Sequence, residues 1–140
     1  MTIKTATPYL MIPGGKAEQA IALYKQALGA TVETLMRYGD IDQSCPAATK
    51  DRVMHAVLRI GSATVMISDD PVAEAHRSGG NISVALDFDD ADQARKCFDA
   101  LSAGGTVIEK LMEAPWGALF GSLGDAYGVS WMFNCELKRG

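Results

Sequence analysis

The chain has 140 residues, about the length of one ordinary domain. Its 13 Lys and Arg stand against 17 Asp and Glu, a formal net charge of −4, which argues against binding to a nucleic-acid backbone. With 48% hydrophobic and 21% charged residues, the composition is that of a globular protein rather than a disordered or fibrous one. No apolar run is long enough to span a membrane, and residues 1–15 do not resemble a secretory signal. Three widely spaced cysteines favour a reducing, cytoplasmic compartment.

Apolar periodicity predicts the secondary-structure elements in chain order, in two similar halves. The first half contains a strand at 7–12, a helix at 17–28 and strands at about 31–38, 53–60 and 64–69. A mobile loop is expected at 40–51, and a polar connection at 70–80 joins the halves. The second half contains a strand at 81–88, a helix from 91 that runs out at Gly104, and strands at about 106–113, 118–123 and 129–135. Module one therefore covers about residues 3–70 and module two about residues 80–136.

A sequence repeat supports this division. Residues 17–32 read AEQAIALYKQALGATV, and residues 91–108 read ADQARKCFDALSAGGTVI. The matches begin at an offset of 74 between Ala17 and Ala91 and drift to 76, which two one-residue insertions explain. The predicted fold class is α+β, with two tandem βαβββ modules in one functional domain.

Short motifs in both modules resemble those of a known family. They are Pro8-Tyr9-Leu10, Ala20…Tyr24…Leu28-Gly29, Arg37-Tyr38-Gly39-Asp40, His55-Ala56, Ser68-Asp69, Trp116…Phe120-Gly121 and Asp125…Tyr127-Gly128-Val129-Ser130-Trp131-Met132-Phe133-Asn134. In this order the chain resembles the vicinal-oxygen-chelate superfamily of glyoxalases, bleomycin-resistance proteins and dioxygenases, and within it the PhnB-like branch. The resemblance implies that each sheet packs a helix on one face, that the other face curves into a cup, and that two chains form a homodimer.

Strand alternation places His55 on the face opposite the helix. If Ser62 is the tip of the hairpin between strands 53–60 and 64–69, His55 lies directly across from Asp69. A carboxylate beside an imidazole fixes its tautomer and can tune a general base, so His55 is predicted as the base and Asp69 as its orienting group. The alternative is a pair that only satisfies two polar groups.

The resemblance also implies a divalent metal with four ligands, on the first and last strands of each module. The corresponding positions here are Tyr9, Ile67, Ser83 and Met132, and a slip of two residues would offer Asn134. These side chains are poor or impossible ligands for a hard or borderline ion, so no metal cofactor is predicted. A displaced site built from His55 and Asp69 remains an alternative. The other histidine, His76, is expected to be a solvated residue of the connection.

The predicted function is the binding of a small organic molecule in the cup, without a membrane or nucleic-acid partner. The candidate ligand-binding residues are Tyr9, Arg37, Arg59, Ser83, Trp116 and Asn134. Two classes remain open: a binder that performs no chemistry, and a lyase- or isomerase-like enzyme with His55 as base. A metal-dependent lyase or dioxygenase-type enzyme with a displaced metal site is the second alternative.

Overall fold

The computed structural model describes residues 2–70 and 81–137. Inter-residue contacts divide the chain near residue 76 into two compact units, each with one four-stranded mixed sheet. Each unit has the element order predicted for one module, which confirms the α+β fold with two βαβββ modules. The expectation for His76 lies outside the described residues.

The first unit contains one long helix and four strands. Its elements are β1 (Tyr9–Ile12), a short 3₁₀ turn (Pro13–Gly15), α1 (Ala17–Leu28), β2 (Thr31–Arg37), α2 (Tyr38–Ile41), α3 (Ala47–Lys50), β3 (Val53–Ile60) and β4 (Ala63–Asp69). The strand order is β1-β4-β3-β2, with β1 parallel to β4 and the other pairs antiparallel. The segment 40–51, predicted as a mobile loop, instead contains the second half of α2 and all of α3.

The second unit repeats this arrangement. Its elements are β5 (Val84–Phe88), α4 (Ala91–Leu101), β6 (Thr106–Glu113), β7 (Ala118–Gly124) and β8 (Ser130–Glu136). The strand order is β5-β8-β7-β6, and β5 is parallel to β8. Among the described residues, no helix is both long enough and apolar enough to cross a membrane.

The core of the first unit lies between α1 and one face of the sheet. The buried side of α1 follows the helical spacing seen in the sequence, and Tyr24 on it is fully buried. Ile12 and Leu58 come from the sheet and are also fully buried. Gly29 caps α1 with a φ of 68°, as predicted. In contrast, α4 ends at Leu101, before Gly104, because Ser102 is its cap.

The second core contains Trp131 and Phe133, as predicted, and neither is exposed. The Asp125 carboxylate accepts hydrogen bonds from the backbone N–H of Tyr127 (2.8 Å) and Val129 (3.0 Å), and from the indole N–H of Trp131 (2.9 Å). One buried carboxylate therefore shapes the β7–β8 turn and anchors the largest core side chain. These hydrogen bonds explain why an aspartate stands three residues before Gly128 in this turn.

Candidate functional site

Each sheet has one face packed on its long helix and one face directed away from it. We call the face of the first sheet directed away from α1 the first open face. Strand alternation and the register place on it the side chains of Tyr9, Met11, Thr34, Met36, His55, Val57, Arg59, Thr64, Met66 and Ser68. Tyr9 is 44% exposed and Met11 is 42% exposed. Large side chains on this face are therefore accessible to a ligand.

The β3–β4 hairpin has a different register from the predicted one. Ile60 pairs with Ala63, so the connection is the two-residue turn Gly61-Ser62, with Gly61 at a φ of 58°. The prediction placed Ser62 alone at the tip, which is one residue out of register. A one-residue slip in a strand moves each side chain to the opposite face of the sheet. The predicted pairing of His55 with Asp69 is therefore wrong.

Asp69 lies on the α1 side of the sheet and is 2% exposed. One carboxylate oxygen accepts a hydrogen bond from the backbone N–H of Ala17 (2.9 Å), and the other accepts one from Val53 (2.8 Å). The carboxylate therefore joins the start of α1 to the start of β3. It cannot orient His55, which lies on the other face.

The partner of His55 is Tyr9. The Tyr9 hydroxyl lies 3.0 Å from Nδ1 of His55, and the two ring centroids are 5.7 Å apart. These strands are not neighbours, because β4 runs between β1 and β3. The tyrosine reaches across β4 to form the contact. The first open face thus carries a phenol–imidazole pair in place of the predicted carboxylate–imidazole pair.

Three methionines lie beside this pair in the register of the sheet, and sequence reasoning did not assign them to the site. Met11 and Ser68 are register partners, and the Ser68 hydroxyl donates a hydrogen bond to the Met11 sulfur at 3.4 Å. Met66 is the register partner of Tyr9, and Met36 is the partner of His55. The alternation of β4 indicates that Met66 and Ser68 share a face of the sheet. That Tyr9 and Met11 of β1 lie on the same face follows only from the parallel pairing of β1 with β4.

The two arginines predicted to bind ligand occupy different faces. Arg59 is on the first open face, where its Nε forms an ion pair with Glu33 at 2.5 Å. Arg37 instead extends toward α1 and contacts Glu18 at 2.7 Å and the carbonyl oxygen of Asp51 at 2.7 Å. The Glu18 contact lowers the pKa of the Glu18 carboxyl and raises the pKa of the arginine. The Arg37 guanidinium therefore contacts α1 and the segment before β3, and its role in ligand binding stays a prediction.

The remaining predicted residues belong to the second unit. The Asn134 amide donates a hydrogen bond to Asp87 at 3.0 Å. Ser83 is exposed and precedes β5. Trp116 is 67% exposed in the β6–β7 connection and packs edge-on against Phe120, with ring centroids 5.6 Å apart. The role of these three residues as ligand contacts stays a prediction.

A groove of about 600 Å³ lies on the α1 side of the first unit. Its lining residues are Gly14, Gly15, Glu18, Gln19, Ala22, Ala47, Ala48, Asp51, Arg52 and Asp69. Asp69 is the one predicted site residue in it, and both of its oxygens accept backbone hydrogen bonds. The groove therefore does not gather the predicted ligand-binding residues.

The side chains at the expected ligand positions do not fit the divalent metal that the fold implies. Ile67 is fully buried on the α1 side, so it does not face the first open face. Within residues 2–70 and 81–137, no group of three or more His, Cys, Asp or Glu is placed to hold a metal ion. The displaced site proposed from His55 and Asp69 is wrong for the same reason as their pairing. A hydrogen-bonding site suits Tyr9 and His55 better than a coordination site does.

Comparisons with known proteins agree with this fold. The family model of the glyoxalase/bleomycin resistance protein/dioxygenase superfamily matches residues 7–133. Protein YjdN of Escherichia coli K12 is 31% identical over 139 residues, which cover 91% of this chain and 92% of that protein. The crystal structure of PA1353 from Pseudomonas aeruginosa has 37% identity and a TM-score of 0.83, and covers 97% of this chain and 100% of its own. The PhnB protein of Bacillus cereus has 26% identity and a TM-score of 0.80, over 94% of this chain and 99% of its own.

The chain therefore belongs to the glyoxalase/bleomycin resistance protein/dioxygenase superfamily. Within it the chain is PhnB-like, as its motifs predicted. A fosfomycin resistance protein of Listeria monocytogenes shares the fold at a TM-score of 0.64 but only 8% identity. That likeness supports the fold alone.

Proposed function

We propose that the protein binds a small organic molecule on the first open face, without a resident metal ion. The hydrogen bond between the Tyr9 hydroxyl and His55 Nδ1 is the observation that supports this most directly. It forms on the exposed side of the sheet, where its two polar groups are accessible to a bound molecule. Polar groups among accessible apolar side chains are the usual composition of a ligand site.

The composition of the face also supports a binding role. Met11 and Tyr9 are large apolar side chains that remain more than two-fifths exposed. Burying such side chains against a ligand is favourable by roughly 25 cal/mol per Å² of apolar surface. The polar pair would then orient the ligand while the thioethers and the tyrosine ring supply the contact area.

A second candidate function is lyase- or isomerase-type catalysis at the same face, with His55 as general base. The Tyr9 contact is compatible with it, because a Tyr9 hydroxyl that accepts a hydrogen bond from the Nδ1–H of His55 leaves the Nε2 lone pair free to take a proton from a substrate. Tyr9 then takes the orienting role that the sequence had assigned to Asp69.

Fragment binding followed by ¹⁵N–¹H NMR tests the binding function. A set of small, mostly uncharged organic fragments is expected to shift the amide signals of Met11, His55, Met66 and Ser68. Tyr9→Phe should weaken the shifts, and Tyr127→Phe in the second unit is the matched control. Fragments that shift signals elsewhere and leave these four amides unchanged would overturn the proposal.

The metal-free part of the proposal has a separate test. Metal analysis of the purified protein is expected to give well under one equivalent of metal, and chelation should leave fragment binding unchanged. A glyoxalase assay with added Ni²⁺, Zn²⁺, Mn²⁺ or Fe²⁺ should show no metal-stimulated turnover. Stoichiometric metal, or turnover that depends on it, would contradict the metal-free proposal and leave the binding face to be judged by NMR.

We also propose a cytoplasmic homodimer. The three cysteines form no disulfide, which suits a reducing compartment. On β6, the side chains of Val107, Ile108 and Met112 are between 44% and 62% exposed. A second copy could cover this edge strand and its apolar side chains. Light scattering should give twice the 14.9 kDa chain mass, and a monomer at micromolar concentration would contradict the dimer.

A further inference from the structure

We infer that the ligand of the first open face is an uncharged aromatic carbonyl compound. This inference rests on the proposed function and deepens it by naming the chemical class of the ligand. Three features of the face carry it: the thioethers beside the polar pair, the donor that the pair presents, and the charge of the face.

The thioethers point to an aromatic ring. Two methionines are direct register partners of the pair, Met66 of Tyr9 and Met36 of His55, and Met11 lies two residues along β1 from Tyr9. Thioether sulfurs make favourable contacts with aromatic rings, worth roughly 0.3–1.5 kcal/mol each. Ser68 is 4% exposed and donates its hydroxyl hydrogen bond to the Met11 sulfur. A buried hydroxyl thus holds one thioether in place on an otherwise mobile side chain.

The polar pair points to a hydrogen-bond acceptor on the ligand. This hydrogen bond allows two neutral tautomers of His55, and the one whose Nδ1 accepts from the Tyr9 hydroxyl carries its proton on Nε2. The ring then presents an N–H donor to a bound molecule. A carbonyl oxygen is the matching acceptor, and its aromatic ring would extend over the methionines.

The charge of the face points to an uncharged ligand. Among the described residues whose side chains share this face, Arg59 is the one arginine or lysine, and it forms an ion pair with Glu33. A carboxylate or phosphate ligand would find no unpaired arginine or lysine there. A buried or half-buried charge without a partner is costly, so the face favours a neutral molecule.

Two ketones of nearly the same size and polarity provide the test. Acetophenone and cyclohexyl methyl ketone share the carbonyl group and differ in whether the ring is aromatic. We expect acetophenone to shift the ¹³C-methyl signals of Met11, Met36 and Met66 upfield at millimolar concentration, by the ring current. Cyclohexyl methyl ketone should bind at least threefold more weakly, as expected from loss of about 0.7 kcal/mol of sulfur–aromatic contact.

Variants check the geometry of the site. Met66→Leu keeps the volume and removes the sulfur, so it should reduce the preference for acetophenone, while Met132→Leu in the second unit should not. Tyr9→Phe should weaken binding of both ketones by roughly three- to tenfold, the effect of one hydrogen bond. In the unmodified protein, acetophenone should also shift the ¹⁵N signals of the His55 ring, and this ligand-induced shift should be smaller in Tyr9→Phe.

The outcomes separate this inference from the proposed function. Equal binding of both ketones to the face would overturn the aromatic preference and leave the binding function standing. Preferential binding of benzoate over acetophenone would overturn the uncharged class. If neither ketone shifts any methionine signal, the inference is wrong, and the fragment set then decides whether the face binds any molecule.

Discussion

The Asp69 carboxylate accepts a hydrogen bond from the backbone N–H of Ala17, the first residue of α1, at 2.9 Å. Its second oxygen accepts one from Val53, the first residue of β3. The first N–H groups of a helix have no partner within the helix, and a negative charge there is favourable. A residue that resembled a catalytic carboxylate in the sequence therefore holds two elements of the fold together.

Replacing Asp69 by Asn should destabilise the protein by roughly 1–3 kcal/mol, because the new amide group turns a donor toward a buried backbone N–H. The free energy of unfolding from urea denaturation measures this. Asp99→Asn, on the exposed side of α4, is the matched control and should change stability by under about 0.5 kcal/mol. Equal stability of the Asp69 and Asp99 variants would show that the carboxylate does not stabilise the fold.

The sequence predicts the two modules well because their helices and strands follow strong apolar periodicities. It predicts the wrong β3–β4 register, because a two-residue and a three-residue turn leave the same residues near the tip. The sequence of the turn does indicate the observed register, because Gly at the first position, here Gly61 before Ser62, is typical of a two-residue hairpin turn. The burial pattern contained another, since Val65 and Ile67 are buried on the same side as Asp69.

The Tyr9–His55 contact could not be predicted from local patterns. The two residues are 46 positions apart, and their strands are separated by β4. Their meeting depends on β1 joining the sheet parallel to β4, which strand alternation alone does not show. The contacts of Arg37 with Glu18 and Asp51 likewise join residues that are far apart in the sequence, so local patterns do not show them.

Gly121 of β7 should not tolerate alanine. A Cβ at this position would lie 2.9 Å from Cα of Leu111 on β6, where the ladder is irregular. Gly121→Ala should therefore cost roughly 1–3 kcal/mol of unfolding free energy, through overpacking against backbone. Gly124→Ala is the matched control, since a Cβ there meets nothing within 4 Å. Thermal and urea unfolding of the two variants compare them directly, and equal stability would contradict the close approach.

Two of the three thiols, Cys97 and Cys135, should react slowly. Burial raises the pKa of Cys97, and burial together with Asp90, Asp87 and Asp89 raises the pKa of Cys135. Less thiolate at a given pH means slower alkylation. With iodoacetamide at mildly alkaline pH, mass spectrometry of the native protein should show both thiols labelled more slowly than in urea. Cys135, which is 1% exposed, should be the slowest. Rapid native labelling of Cys135 would contradict its place in the second core.

The ion pair between Glu18 and Arg37 should make stability depend on pH in the acidic range. The hydrogen bond from Arg37 lowers the pKa of Glu18 in the folded protein, so its contribution is fully present above the unfolded pKa. The contribution is lost as the pH falls through the folded pKa. Because the Glu18 side chain is 58% exposed, solvent screening limits it to under about 1 kcal/mol. Glu18→Gln should therefore be slightly less stable than the unmodified protein near neutral pH, and the difference should close at acidic pH.

Glu109→Gln is the control, because Glu109 is exposed and forms no ion pair in the described ranges. A Glu18→Gln difference that stays constant across the pH series would show that the ion pair does not stabilise the fold.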